Sequence, residues 1–599
     1  MRGRRRGTRA DVGSRLVATA LILVATVLAS GCDRGGAQRE AIVIEASQRE
    51  GTLRPIWDEV NLWKLDGWFG AHRTDPADEW GEGWLRAHAP WVRYGRVVAV
   101  LGGNWAPEIA DACGHRRATP EHPEPGWECG RDGQPGPAAQ NEIARPTDAG
   151  WEMDYGPFRT SVGRVLRSGV LPHLNVSSSP SAFTGGKIDY GHYHWNAAPV
   201  TDLDGWLGFA RGAFASLADL HPKDWRVSIV NEPNCLIREG QQPPRSVGFA
   251  GGAETYARLW KATALAIREV APEVDIHPGN YVTSDTFPGE DNLDQYLTAL
   301  AAELGREPAI AWEQLPYVSL SLYEVPDTEL LDFRTTRLAR LSAAQEKSGL
   351  RPLPVKLDEL GIHANVKGPF EERTGVQIRK TLYAASWHAE ALRSFLDAGD
   401  IVSVSPWLEQ LFLIPQWQAL PSAQVYWLFG MLVGQLRLTA DPRGEQTVVS
   451  THDDLGRERL VVQEQLVERE PVKSSGPGEK PEPRSSLRSL AVTDEDVVRV
   501  LIVHHQNEPV IDGDPIQERL ARRIDLELRG LRDGGWRTRH LSIGGANGSR
   551  WEGERTRPLT WQDDGCTTSE DGAIVASRQV SLPANSVWLF EMTRQDGCG

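Results

Sequence analysis

Cysteine and methionine are scarce, at six and four in 599 residues. A dense disulfide framework is therefore excluded as the main source of stability, and a chain of this length must rest on buried cores. A basic excess is also missing. Lys and Arg number 65 against 81 Asp and Glu, a net charge of −16. Few faces could then follow a phosphate backbone, which excludes nucleic acid as a partner. The apolar run from Leu16 to Leu28 is too short to span a bilayer comfortably as a permanent helix. No Gly-x-Gly-x-x-Gly turn follows the first candidate strand, which argues against an open dinucleotide-binding sheet.

Tryptophan, by contrast, is plentiful, with 22 copies. Many belong in a core, but flat aromatic faces also suit the apolar faces of pyranose rings. The N-terminus carries a basic head (Arg2, Arg4, Arg5, Arg6, Arg9, Arg15), the apolar run, and then Leu28-Ala29-Ser30-Gly31-Cys32. This layout resembles a bacterial lipoprotein signal over residues 1–32, with Cys32 lipidated and the protein held outside the cytoplasmic membrane. Ala29 departs from the Leu favoured there, so plain cleavage and secretion is the alternative. Export permits disulfides, and Cys113–Cys129 and Cys566–Cys598 are the close pairs, leaving Cys235 free. His115 and His122, between the first two cysteines, could instead complete a zinc site. The spacing lacks a finger pattern and the compartment favours oxidation, so no metal is expected.

From residue 51 to 437 short β-rich runs alternate with amphipathic stretches, the pattern of a parallel α/β fold. Eight candidate strands are Val60–Lys64, Val97–Leu101, Leu171–Val176, Arg226–Val230, Val274–Pro278, Val318–Tyr323, Val355–Asp358 and Ile401–Ser405. Trp206, Phe209, Ala210, Ala213, Phe214 and Leu217 share one helical face, as do Tyr256, Leu259, Trp260, Ala264 and Ile267. Eight such units predict a (β/α)8 TIM barrel. Residues 438–599 read as a C-terminal β-sandwich, with strands at Val497–His504, Arg523–Leu528 and Ser586–Met592 and a disordered loop near 468–486. Residues 33–50 read as a tether followed by a strand, Ala41–Glu45, available to that sandwich.

Two short β-runs end in acid. Arg226-Val-Ser-Ile-Val leads into Asn231-Glu232-Pro233, and Pro354-Val-Lys-Leu leads into Asp358-Glu359. Counting strands puts Glu232 after the fourth and Glu359 after the seventh, on opposite sides of a barrel's carboxyl-terminal mouth, where barrels build active sites. Opposed carboxylates are what glycosidic cleavage requires, one giving a proton to the departing oxygen and the other attacking the anomeric carbon or a water. Strand alternation places Asp358 on the side opposite Glu359, making it the weaker nucleophile. Asn507-Glu508-Pro509 repeats the tripeptide without a partner downstream and reads as a turn. A Glu after a strand is otherwise most often a helix N-terminal charge; the pairing is what singles out Glu232.

These two motifs resemble the clan A glycoside hydrolases, and the chain is most like family 39, which includes β-xylosidases and α-L-iduronidases. The likeness extends to Trp57-Asp-Glu-Val60, Asp154-Tyr-Gly-Pro157 and the stretch Tyr256–Pro272. It implies a retaining hydrolase without cofactor, acting on an oligo- or polysaccharide. Glu232 would be the acid/base and Glu359 the nucleophile. Asn231 would bind the sugar 2-hydroxyl, Tyr323 would orient the nucleophile, and Trp407 would form the platform beneath the sugar. Three positions depart from the family: Val230 where Trp is frequent, Ser321 where His is frequent, and Leu-Asp-Glu-Leu where Thr-Glu-Trp is usual. These bear on the pocket, and a non-catalytic carbohydrate-binding lipoprotein is the alternative.

Overall fold

The computed structural model describes residues 39–598 apart from 63–75, 101–114, 117–125, 128–143, 148–149, 178, 186–196, 238–244, 247–248, 284–291, 325–336, 363–375, 414–417, 444–446, 453–457, 464–484, 495, 507–520, 546, 553–554 and 570–572. The signal segment with Cys32, the pair Cys113 and Cys129, His122, the start of the 468–486 stretch and the second Asn-Glu-Pro all lie outside the described residues.

Eight parallel strands close into a ring. One half-ring runs, in hydrogen-bonded order, through Asp275–His277, Arg226–Ile229, Leu171–Ser177, Tyr94–Val100 and Glu59–Asn61. The other runs through Gly279–Val282, Val318–Glu324, Val355–Ile362 and Ile401–Pro406. The eighth strand meets the first through Val404 N→Ile56 O at 2.6 Å and a bridge between Asn61 and Trp407. The fifth strand is one segment in the sequence reading but two in the fold. Pro278 lacks the N–H that a continuous ladder would use. Gly279, at φ 116°, then comes so close to the sixth strand that a Cβ would lie 2.5 Å from Ser319 O. The break turns His277 to the fourth strand's side and frees Asn280 to face the barrel mouth.

Helices link the strands and cover their outer faces. Leu203–Ala215 starts on Asp202, whose side chain accepts from Gly205 N at 3.0 Å, and buries Trp206, Phe209, Ala210, Ala213 and Phe214. Gly252–Val270 buries Tyr256, Leu259, Trp260, Ala264 and Ile267. The spacing of these residues is why both segments are helices that pack where they do. Against them lie Leu174, Val227, Ile229, Ile276, Leu320 and Leu357 from the outward positions of the strands.

The inward positions are polar, which is unusual for a barrel normally filled by branched aliphatic layers. Glu59, Arg96, His173, Asn175, Ser228, His277, Ser319, Lys356, Asp358 and Ser403 are all buried there. They bond across the ring: Lys356 Nζ reaches Glu59 Oε1 at 2.8 Å, and Arg226, on the fourth strand, reaches Glu59 Oε2 at 2.7 Å. Breaking one member of such a buried pair strands its partner's charge and costs several kcal/mol.

After the barrel comes a nine-stranded sheet whose hydrogen-bonded order includes Arg39–Thr52 between Leu436–Arg443, antiparallel, and Arg522–Arg529, parallel. Ile42, Ile44, Val500, Ile524, Leu526, Trp536 and Phe590 form its own core. Helix Leu382–Ala398 lies between barrel and sheet and is buried along most of its length. Ser386 Oγ meets His505 Nδ1 at 2.8 Å and Asn585 Oδ1 at 3.1 Å, and Arg393 Nε donates to Ser489 O at 2.5 Å. Cys566 and Cys598 are joined, and Cys235 is a buried free thiol. The bridge closes a loop over a sequence separation of 32. Cys566→Ser with Cys598→Ser is expected to cost roughly 3–4 kcal/mol, read as a lower denaturant midpoint for the sheet. An unchanged midpoint would show the bridge to be energetically idle.

Candidate active site

The fourth strand ends in a strained turn. Val230 sits at φ 66° and Glu232 at φ 46°, both in the left-handed region that non-glycine residues avoid, Val230 all the more for its branched Cβ. Such conformations cost on the order of 1–3 kcal/mol each and persist only where the surroundings impose them. Here they do. Val230 N donates to Val176 O at 2.8 Å and Asn231 N donates to Ser177 Oγ at 2.8 Å. Asn234 clasps the fifth strand through two 2.8 Å bonds, Nδ2 to Val282 O and Val282 N to Oδ1. The turn holds Glu232 buried at the carboxyl-terminal mouth.

Glu359 reaches the same mouth by a bulge. In the ladder between the sixth and seventh strands Leu320 faces Leu357 and Ser321 faces Glu359, so Asp358 is skipped. One extra residue reverses the alternation. Asp358 therefore does not point away from Glu359, as strict alternation predicts; both carboxylates face the interior, Glu359 hydrogen-bonded to Arg96 and Asp358 3.8 Å from its Nε. Arg96 Nη1 donates to Glu359 Oε1 at 2.8 Å, while its Nε lies 3.8 Å from Asp358 Oδ2.

Arg96 joins the two segments that carry Glu232 and Glu359. Its Nη2 donates to Asn231 Oδ1 at 2.6 Å, and Asn280 Nδ2 donates to the same oxygen and lies 3.5 Å from Glu359 Oε1. Ser321, where the family resemblance would place His, donates its Oγ to Asn280 Oδ1 at 2.9 Å and so fixes that amide. Because Asn231 Oδ1 accepts from both partners, its Nδ2 is the outward atom. That Nδ2 is buried with no hydrogen-bond partner among the described residues. Trp407 Nε1 donates to Tyr323 OH at 2.8 Å, the rings meeting edge to face with centroids 5.8 Å apart.

Electrostatics tie the two glutamates to one space. Burial, then the charges of Glu232 and Glu359, pushes the Cys235 thiol well above its ordinary range, so both carboxylates act on the same point. Burial also raises the Glu359 carboxyl, while the Arg96 guanidinium, the Asn280 amide and the Trp407 indole pull it back. Asp358 differs. Burial opposes its charge, but Lys356, His173 and His277 together hold it well below the usual carboxylate range.

His173, His277 and Asp358 bring ligand-type atoms within 4.8 Å of one another. The position is already supplied with positive charge by the protein, since Lys356 Nζ bonds Asp358 and lies 3.3 Å from His173 Nδ1. A metal ion there would sit among cations, which disfavours one.

Glu232, Glu359, Asn231, Tyr323 and Trp407 thus gather at one mouth. Arg96 and Asn280 escape the sequence reading. Arg96 carries one available signal, a lone charge inside the β-rich run Tyr94–Val100; Asn280 carries none, because it depends on the break in the fifth strand.

The fold is similar to that of solved glycoside hydrolases. No protein-family model matches the chain. Its fold is similar to a monomeric β-xylosidase from Caulobacter crescentus CB15, with a TM-score of 0.56 at 13% identity over 92% of this chain and 99% of that one. It is similar also to a GH39 enzyme from Xanthomonas axonopodis pv. citri, with a TM-score of 0.55 at 12% identity over 93% and 98% of the two chains. In sequence, a β-xylosidase from Caldicellulosiruptor saccharolyticus is 26% identical over 116 residues, 19% of this chain. That match spans only 22% of the relative's length.

Proposed function

We propose that this protein is a retaining glycoside hydrolase in which Glu359 attacks the anomeric carbon and Glu232 handles the proton. The observation that carries the reading is the pair of buried carboxylates at one barrel mouth, coupled through Arg96 and Asn231. The division of roles follows from their partners. A guanidinium 2.8 Å from Glu359 favours its ionised, nucleophilic form. Glu232, beside it, then protonates the leaving oxygen as the glycosidic C–O bond breaks and the Glu359 oxygen bonds to carbon. In the second step Glu232 takes a proton from water, whose oxygen displaces Glu359. The outward Nδ2 of Asn231 suits a sugar 2-hydroxyl, a contact that strengthens in such transition states. Trp407, held by Tyr323, offers an aromatic face beneath the ring.

The substrate in this reading is an oligo- or polysaccharide outside the cytoplasm. The sequence layout around Cys32 supports anchorage by lipid, which loss of palmitate labelling in Cys32→Ser would test. The nine-stranded sheet, with its own core, is read as a β-sandwich bracing the barrel. A panel of aryl glycosides beginning with β-xyloside and α-L-arabinopyranoside tests the activity. Turnover of at least one is expected; a wild type inert to all of them and to oligosaccharides, yet binding sugar, would favour the non-catalytic lipoprotein. Activity must fall on acidification, as Glu359 takes up a proton. Since its carboxyl is raised, the acidic limb of kcat/KM should lie above the ordinary glutamate range. A limb below that range would contradict the assignment.

A further inference from the structure

We propose that Asp358 is a positioning residue that anchors the Arg96 guanidinium, so that one arginine can serve Glu359 and Asn231 together; this rests on the glycosidase reading. The guanidinium has three working edges. Nη1 and Nη2 are committed upward to Glu359 Oε1 and Asn231 Oδ1, and Nε, buried with no hydrogen-bond partner among the described residues, faces the Asp358 charge with Oδ2 at 3.8 Å. Without an anion below, a cation between two upward acceptors has nothing fixing its height.

Asp358 is itself held from every side. Lys356 on its own strand bonds Oδ1; Ser319 Oγ on the sixth strand donates to Oδ2 at 3.0 Å. His277 Nε2 on the fifth lies 3.4 Å away, and His173 Nε2 on the third lies 3.8 Å away. Glu59 on the first strand bonds Lys356, and Arg226 on the fourth bonds Glu59. Burial keeps His173 neutral, its pKa pushed down to about 3. Asp58 adds a further carboxylate on Arg226, 3.1 Å from its Nη2. Asp358 shares the inward side of its strand with Lys356, and the bulge that skips it in the ladder is what brings the Glu359 carboxylate inward as well. An alternating strand could place only one of the two acids there.

The test is Asp358→Asn, with the doubly neutral Lys356→Met/Asp358→Asn pair as a second variant that leaves no uncompensated buried charge. Glu359 is titrated by infrared difference against Glu359→Gln, and kcat and KM are measured on an aryl glycoside. An anchor and a bystander anion give opposite shifts: loss of the anchor loosens Arg96 and raises the Glu359 carboxyl, whereas removing an anion beside a fixed Arg96 lowers it. In Asp358→Asn its titration should move up by about one pH unit. kcat should fall about tenfold with KM changed less than about twofold, the mark of an interaction needed only in the transition state. In the double variant, where opposite charges leave together, the upward shift and the kcat loss both persist. A folded variant with Glu359 titrating unchanged or lower and kcat within about twofold would overturn the proposal, and the double variant decides alone if the single one does not fold. If the wild type hydrolyses no glycoside, the titration still judges Asp358, and it is the glycosidase reading that falls.

Discussion

Glu232→Ala and Glu359→Ala should each lower kcat/KM by about 10⁴-fold or more, the largest effects expected anywhere in the chain. The two losses should differ in kind. Without Glu359 no covalent intermediate forms, and activity should be lost whatever the leaving group. Azide can then occupy the vacated space and attack directly, giving a glycosyl azide of inverted configuration. Without Glu232 the first step still proceeds for an aglycone that needs no protonation, such as dinitrophenolate. Azide then intercepts the intermediate and gives a product of retained configuration. Reversed outcomes would exchange the two roles; equal, modest losses would remove both residues from the chemistry. Glu508→Ala, in the second copy of the tripeptide, should leave kcat/KM within about twofold.

Acid should unfold the protein by a route set by four buried histidines. His173 and His505 are pushed down to about 3, and His388 and His504 to about 4, burial being the largest cause in each case. An unfolded chain binds protons at these sites below about pH 6.5, whereas the folded chain does not until pH 3–4. Stability is therefore full above about 6.5 and declines as pH falls towards 4. Each group contributes about 1.4 kcal/mol per pH unit, so between 6.5 and 5 each costs about 2 kcal/mol and the four together at most about 8. Three of the four lie on helix Leu382–Ala398 or in the sheet, and His505 joins the two. His388 lies 3.1 Å from both Tyr426 OH and Gln410 Oε1, His505 lies 2.8 Å from Ser386 Oγ, and His504 lies 3.0 Å from Pro583 O. Glu59 and Asp358, with carboxyls held low, keep their contribution through this window and lose it only in stronger acid. Calorimetric melting at pH 8, 7, 6 and 5 should show little change at first and then a steep fall. His505→Gln should reduce the slope below pH 6.5 by about one proton. A melting temperature flat or rising between pH 7 and 5 would contradict these assignments.

The barrel was legible in the sequence because its outer faces follow local rules. Trp206 to Phe214 and Tyr256 to Ile267 keep helical spacing, and the short apolar runs between them can only be strands. Glu232 and Glu359 were legible because each closes such a run. What stayed hidden depends on departures from period two. Strict alternation allows only one of Asp358 and Glu359 to face inward, and the bulge opposite Leu320 and Ser321 brings Glu359 in beside Asp358. Asn280 became a site residue only through the break that Pro278 makes in the fifth strand. Arg96 and Lys356 had no place in the sequence reading, because a barrel interior is expected to be apolar; cross-ring pairing with Glu59, Asp358 and Glu359 is what admits them.

The most direct measurement is a trapping experiment with an activated 2-deoxy-2-fluoro glycoside of whichever sugar the wild type turns over. Fluorine at C2 slows both steps, and a good leaving group lets only the first proceed, so a glycosyl-enzyme accumulates. Mass spectrometry should show one added fluorosugar per chain, and digestion should place it on the peptide carrying Glu359, with no labelling of Glu359→Gln. Label on Glu232 or Asp358, or turnover with no labelled chain at all, would contradict a double displacement through Glu359.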